Sequence, residues 1–211
     1  MCQEIFIEKT YDFTNRKNDE LYIIDCGSNI GLGPIFWNRL YPKAKILCFE
    51  PDPNIFKLLL ENTRHIKKDS IKYENKAVWI SEKNISFEAD GNLGGKISDK
   101  TSNQLVETVR LKDVLNQNID FLKIDIEGAE FDVLKDCQEN LSFVKNIFIE
   151  YHSNPLEPQI LSNLLRIITD AGFRYYIKEA WVNRQHPYIE KSLNQSVYDL
   201  QLNIFGYRIN E

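Results

Sequence analysis

Short apolar runs alternate along the chain with stretches whose hydrophobic positions recur at helical spacing. Residues 21–25 (LYIID) read as a buried strand, and a glycine-rich turn leads from them into a helix through Phe36 and Leu40. Residues 45–50 (KILCFE) form a second strand, after which Pro53 suits the first turn of a helix continued by residues 55–64. Residues 71–80 predict a third strand. Beyond it lie a hairpin at 85–89, a glycine-rich stretch at 91–96, and a strand running into a short helix over 109–115. Core strands at 119–125 (IDFLKID) and 146–151 (NIFIEY) flank a helix over 129–141, whose apolar positions are Phe131, Val133, Leu134 and Cys137. A helix over 158–171 stops at Gly172, and strands at 173–177 and 202–209 close the sheet. Residues 1–15 predict a loose arm or an edge strand. This alternation predicts an α/β fold with a mainly parallel sheet and helices on both faces. The 211 residues fit one such domain over 1–211, with 1–20 as an N-terminal arm and 180–200 as a long polar and aromatic insertion.

The turn after the first strand carries the first candidate chemistry. It reads D-C-G-S-N-I-G-L-G from Asp25 to Gly33. Open α/β sheets bind ligands beyond the carboxyl ends of their strands. Gly27 and Gly31 remove side chains where a backbone must come close to a ligand, and Ser28 and Asn29 place polar groups at the helix entrance. The G-x-G-x-x-G spacing of a dinucleotide site is absent, so the usual pyrophosphate cradle is missing. The turn suits S-adenosylmethionine (SAM), which has no phosphate and carries a positive sulfonium. Asp25 at the strand tip is compatible with the ammonium group of its methionine part. The plainer alternative is a tight turn with no ligand. Glu50 ends the second strand in F-E-P-D-P, where a carboxylate can accept both hydroxyl protons of a ribose. The alternative there is an exposed carboxylate before a helix. Asp52 reads as that helix's N-cap.

A third block is L-K-I-D-I-E-G-A-E, Leu122–Glu130. It resembles the hallmark of the FkbM family of SAM-dependent methyltransferases. D-x-G-x-N-x-G at Asp25–Gly31, F-E-P-D-P at Phe49–Pro53, and N-K-A-V at Asn75–Val78 resemble that family's blocks in order. V-R-L-K-D-V-L at Val109–Leu115 and I-E-Y-H at Ile149–His152 extend the likeness over residues 21–152. Ser28 departs from the family's common alanine, and the C-terminal third carries no matching motif. The resemblance implies a Rossmann-like class I methyltransferase fold, with a mostly parallel seven-stranded sheet and an antiparallel last strand. It implies SAM as cofactor, held by Asp25, Gly27, Ser28, Asn29, Gly31, Glu50, Ala77 and Asp125. It also implies methyl transfer to an oxygen, often a sugar hydroxyl in a glycan or natural-product pathway.

Asp125 ends one core strand, and Glu150 and His152 end the next; if the strands are neighbours, all three reach one crevice. Glu127 and Glu130 sit just beyond Asp125, and carboxylates at a helix N-terminus are also favoured by its dipole alone. Two mechanisms fit. In one, Asp125, Glu150 and His152, with Glu127 as a further ligand, hold Mg²⁺ or Mn²⁺, which lowers the pKa of the acceptor hydroxyl. In the other, His152 or Asp125 takes the proton as general base. Trp181, Arg184, His186 and Tyr188, in the late insertion, offer aromatic faces and a guanidinium suited to a sugar and its phosphate or nucleotide. Gly91, Gly94 and Gly95 could hinge a flap over the acceptor, or simply mark a turn.

Composition narrows the partners. The net charge of −5 disfavours nucleic acid, whose binders present basic surfaces. Cys2, Cys26, Cys48 and Cys137 form no CxxC pair and suggest neither zinc nor disulfides. No apolar run approaches the roughly 20 residues that span a bilayer, and no secretory leader opens the chain, so the cytoplasm is the expected compartment. The leading expectation is an O-methyltransferase acting on a sugar, such as a nucleotide-activated sugar in polysaccharide biosynthesis. An N-methyltransferase acting on a small amine and a SAM-binding module without catalysis remain as alternatives.

Overall fold

Runs such as LYIID and FLKID carry apolar residues on both sides of the strand and turn polar only towards its end, which demands a packed layer on each face of the sheet. The computed structural model describes residues 2–14, 16, 19–89, 95–97, 105–182, 185–186, 188–189 and 198–209. Its strands are β1 (Tyr22–Cys26), β2 (Lys45–Phe49), β3 (Ile71–Glu74), β4 (Ala77–Trp79), β5 (Asn84–Ala89), β6 (Gly95–Ile97), β7 (Leu105–Arg110), β8 (Ile119–Ile124), β9 (Val144–Ser153), β10 (Arg174–Trp181) and β11 (Leu200–Tyr207). Its α-helices are α1 (Cys2–Phe6), α2 (Leu32–Leu40), α3 (Pro53–Thr63), α4 (Leu111–Val114), α5 (Glu130–Asp136) and α6 (Leu161–Asp170).

Seven strands form the main sheet in the order β10-β11-β9-β8-β1-β2-β3. The five from β9 to β3 are parallel, while β11, last in the chain, runs antiparallel to both neighbours. This is the Rossmann-like class I arrangement the resemblance implies. From β1 the sheet grows one way through β2 and the other way through β8. The crevice beyond the ends of β1 and β8 is therefore a topological switch point, where open α/β sheets bind ligands. No described helix is long and apolar enough to cross a membrane.

Alternation along the strands sorts the core into two layers. Ile24, Cys26, Leu122, Ile124, Ile147 and Ile149 face a layer that contains Val133, Leu134, Leu164 and Ile168 of α5 and α6. Ile23, Ile46, Cys48, Phe121 and Phe148 face the other, with Phe36, Trp37 and Tyr41 from α2 and just after it. Asp25, Lys123, Glu150 and His152 continue this second set at the strand ends by the same period of two. Polar chemistry thus begins where that apolar face stops.

Four local expectations are corrected. The strand predicted over 71–80 breaks at Asn75, whose Nδ2 donates to the carbonyls of Glu50 (2.8 Å) and Pro51 (3.1 Å). Its second half, β4, leaves for a small sheet ordered β4-β7-β5-β6. The helix predicted over 129–141 is α-helical only to Asp136 and continues as 3-10 helix over Gln138–Phe143. The described residues 2–14 supply neither an edge strand nor a loose arm. Cys2–Phe6 is a helix, and Ile5 and Tyr11 are buried in the second layer. Burying an isoleucine is worth roughly 1.5–3 kcal/mol, and a helix this short does not form without such tertiary support. The insertion predicted over 180–200 begins inside β10, which runs to Trp181, and ends as β11 starts. Gly91, Gly94 and Arg184 lie outside the described residues, while Gly95 opens β6.

Candidate functional site

The turn from Asp25 to Gly31 folds by consuming its own backbone donors. The N–H groups of Gly27 (3.0 Å) and Ser28 (2.9 Å) both donate to the Phe49 carbonyl. That of Asn29 donates to Glu50 Oε2 (2.9 Å), that of Ile30 to Asn29 Oδ1 (2.7 Å), and that of Gly31 to the Ser28 carbonyl (3.0 Å). A phosphate would find no free row of amides here, in accord with the missing dinucleotide spacing. Gly27 has φ +82°, and a Cβ on it would lie 1.9 Å from the Asp125 carbonyl oxygen. The turn is thereby pressed against the end of β8.

Lys123 joins the two halves of the site. Its side chain is buried, and Nζ donates to the Gly27 carbonyl (2.8 Å). The same atom lies 3.3 Å from Asp25 Oδ1 and 3.3 Å from Asp125 Oδ2. Burial opposes the lysine charge, but the two aspartates outweigh it and hold the pKa well above the usual value. Burial raises the Asp25 carboxyl, with Lys123 opposing. Asp25 Oδ1 is buried without a hydrogen-bond partner.

Glu50 stands on the other side of the turn. Oε2 accepts from Asn29 N, and Oε1 accepts from Asp52 N (2.9 Å). Each oxygen keeps a lone pair for a further donor. Burial pushes this carboxyl up to about 7, against the two backbone bonds that favour its charge. Asp52 caps α3 as expected, accepting from the N–H groups of Asn54 (2.7 Å) and Ile55 (3.1 Å). Ala77 is buried in β4 and packs with Ile85 and Val106.

The acidic cluster expected from the sequence does assemble. β8 and β9 are adjacent and parallel, and ligand atoms of Asp125, Glu150 and His152 lie within 4.8 Å of one another. His152 Nδ1 is 3.0 Å from Glu130 Oε1, while Nε2 is 3.6 Å from Glu150 and 3.7 Å from Glu127. The same Glu130 oxygen accepts from the N–H groups of Gly128 (3.0 Å) and Ile126 (3.2 Å), which locks the turn after β8. Burial works against a charge on His152, but Glu130 and the other carboxylates carry it up to about 10. At neutral pH it is an imidazolium, and in that state it donates protons rather than takes them. Burial first, then Asp125, pushes the Glu150 carboxyl up to about 8. Tyr198 packs its ring on His152 at 4.7 Å and donates to the Glu127 carbonyl (3.1 Å).

A cavity of about 320 Å³ opens between these parts. Asp25, Gly27, Ser28, Asn29 and Gly33 line one side, and Lys123, Asp125 and Glu150 line the floor. Glu4, Ile5 and Tyr11 come from the N-terminal segment, and Ala180, Trp181 and Gln201 from β10 and β11. Gly31, Glu50, Ala77 and His152 lie outside its lining; a Cβ on Gly31 would meet Leu59 and Thr63 of α3. Trp181 lines the cavity and is 69% exposed, whereas Tyr188, 91% exposed, and the exposed His186 are not part of its lining.

Residues 25–175 match the methyltransferase FkbM domain. The chain belongs to the FkbM methyltransferase family. Methyltransferase sdnD of Sordaria araneosa is 30% identical over 217 residues, covering 81% of this chain and 80% of that protein. The 2-O-methyltransferase NoeI of Sinorhizobium fredii is 32% identical over 161 residues, covering 64% of each chain. The hexuronic acid methyltransferase AglP of Haloferax volcanii is 30% identical over 149 residues, covering 67% of this chain and 59% of that one. The protein is thus a SAM-dependent methyltransferase, an enzyme of Rossmann-like fold.

The site fits such a donor. It offers a glycine turn, a buried Asp25 oxygen that is ion-paired to Lys123 but accepts no hydrogen bond, and a turn whose amides are already used. Sequence reasoning missed Lys123, Tyr11 and Glu4. Lys123 sits inside the L-K-I-D-I-E-G-A-E block, and a charge flanked by apolar residues in a core strand was its only visible mark. Tyr11 and Glu4 lie outside the matched region and carry no motif.

Proposed function

We propose that this enzyme transfers a methyl group from SAM to a hydroxyl of a sugar or uronic acid, with a nucleotide-activated or glycan-precursor sugar as the natural acceptor. The observation that carries the reading is the cavity itself: carboxylates of Asp125 and Glu150 share it with the Asp25–Gly33 turn. SAM supplies an electrophilic methyl on a sulfonium. Asp25, with Lys123 holding its charge, takes the methionine ammonium; Gly27, Ser28, Asn29 and Gly31 shape the cradle; Glu50 takes the ribose hydroxyls. Ala77 borders the adenine side. Glu150 is the general base, because a carboxyl raised towards the working pH is the stronger acceptor for a hydroxyl proton. Asp125 orients that hydroxyl, and His152, as imidazolium on Glu130, fixes Glu150. Trp181 offers an aromatic face to the sugar ring. The names of the relatives NoeI and AglP, one an O-methyltransferase and one acting on a hexuronic acid, support oxygen over nitrogen.

A second reading follows from the 4.8 Å cluster: Asp125, Glu150 and His152, with Glu127, would hold Mg²⁺ or Mn²⁺. Such an ion must displace the His152 proton and compete with Lys123 for Asp125, so the base reading is preferred. Both readings are tested by measuring S-adenosylhomocysteine release across hydroxyl and amine acceptors, with and without excess chelator. Turnover on sugars that survives chelation supports Glu150 as base. Loss of turnover restored by Mn²⁺ or Mg²⁺ supports the metal, and turnover on amines alone sinks the oxygen assignment.

A further inference from the structure

The N-terminal segment occupies the layer where the second apolar face of β8 and β9 meets the cavity. Tyr11 is its anchor. Its ring packs on Phe148 (5.1 Å), Trp37 (5.5 Å) and Phe121 (6.4 Å), and its carbonyl accepts from Trp37 Nε1 (3.1 Å). The residue is 7% exposed, yet it lines the cavity beside Lys123, Asp125, Asp25 and Glu150. Among the described residues no group hydrogen-bonds its hydroxyl, and since the residue lines the cavity that hydroxyl is left to whatever fills it. Glu4 ties the same segment to the sheet, accepting from Asn203 Nδ2 at 2.8 Å.

We propose that Tyr11 is a ligand-contacting residue of the methyl-donor site, its hydroxyl completed by a hydrogen bond to the methionine end of bound SAM. The assignment rests on the SAM chemistry of the site. It makes residues 2–11, outside the matched domain, one wall of the cofactor cavity. Burial among carboxylates holds the phenol far above its usual pKa, so it stays a neutral hydroxyl at working pH. The ring is clamped on three sides before any ligand arrives, so little rotamer freedom is lost when the bond forms.

The test is calorimetric titration of SAM and S-adenosylhomocysteine into the full chain, the Tyr11→Phe variant and the Phe13→Leu variant. Tyr11→Phe keeps the ring and its packing. It should weaken both ligands about five- to tenfold, the yield of one neutral hydrogen bond, with the melting temperature little changed. Phe13 stacks on Phe121 at 4.7 Å in the same aromatic layer but is not part of the cavity lining. Phe13→Leu should lower the melting temperature and leave affinity intact. Equal affinity of the native chain and Tyr11→Phe overturns the proposal. Failure of the native chain itself to bind SAM would instead strike at the cofactor site as a whole.

Discussion

A methyl group on residue 27 would sit 1.9 Å from the Asp125 carbonyl oxygen, in a backbone conformation at φ +82°. Neither the carbonyl nor the turn can yield without opening the crevice. Gly27→Ala should therefore cost more than about 3 kcal/mol of stability, at the severe end for a single substitution, and abolish SAM binding. Urea denaturation and calorimetry would read both. Glu50 gives a pH-dependent expectation. Its carboxyl lies near 7 in the folded chain against an ordinary 4.5, so the stability this group lends is full below about 4.5 and is lost as pH rises through 7. Ribose hydroxyls favour the charged form, so SAM affinity should climb with pH across that same window. Glu50→Gln should flatten the climb; an unchanged profile would remove Glu50 from the ribose site. Glu150 makes the complementary forecast for turnover. As a base it works only without its proton, so the pH–rate profile should rise through about 8. Glu150→Gln should abolish that limb and lower turnover by roughly 10²–10⁴-fold.

At the scale of elements, the turn after β8 depends on one carboxylate oxygen. Glu130→Ala would strip an acceptor from two backbone N–H groups and from a buried imidazolium, which should cost about 3–5 kcal/mol. Glu130→Gln keeps an acceptor but removes the charge, so the His152 pKa, followed by NMR, should fall from its raised value. A ring that titrates unchanged would mean that other carboxylates hold it. These elements were unequally legible. The Asp25–Gly31 turn, the Asp52 cap and the strands β1, β2, β8 and β9 stood out because buried parallel strands and helix starts write local patterns. The break between β3 and β4 did not, because it is set by Asn75 bonding to carbonyls brought alongside only in the fold. Helix α1 was invisible for the same reason: five residues carry too little periodicity, and their partners are distant in sequence.

For the whole molecule, the α/β class followed from alternation, and the adjacency of β8 and β9 gathered Asp125, Glu150 and His152 as their spacing suggested. Lys123 shows the limit of such reading. A charge inside a core strand is explained only once β1 lies beside β8 and brings Asp25 and the Gly27 carbonyl to its Nζ. The acceptor side was least legible. Of the four residues singled out there, Trp181 reaches the cavity, His186 and Tyr188 stand on the surface, and Arg184 lies outside the described residues. The central claim is that this crevice methylates a sugar oxygen with SAM. Its most direct measurement is transfer of a carbon-13 methyl group from labelled SAM to a mixture of hexuronic acids, nucleotide sugars and amines, with the product bond assigned by NMR. The account predicts label in a methyl ether on a sugar hydroxyl, dependent on Glu150. Label found only on nitrogen, or transfer untouched by Glu150→Gln in the presence of chelator, would contradict it.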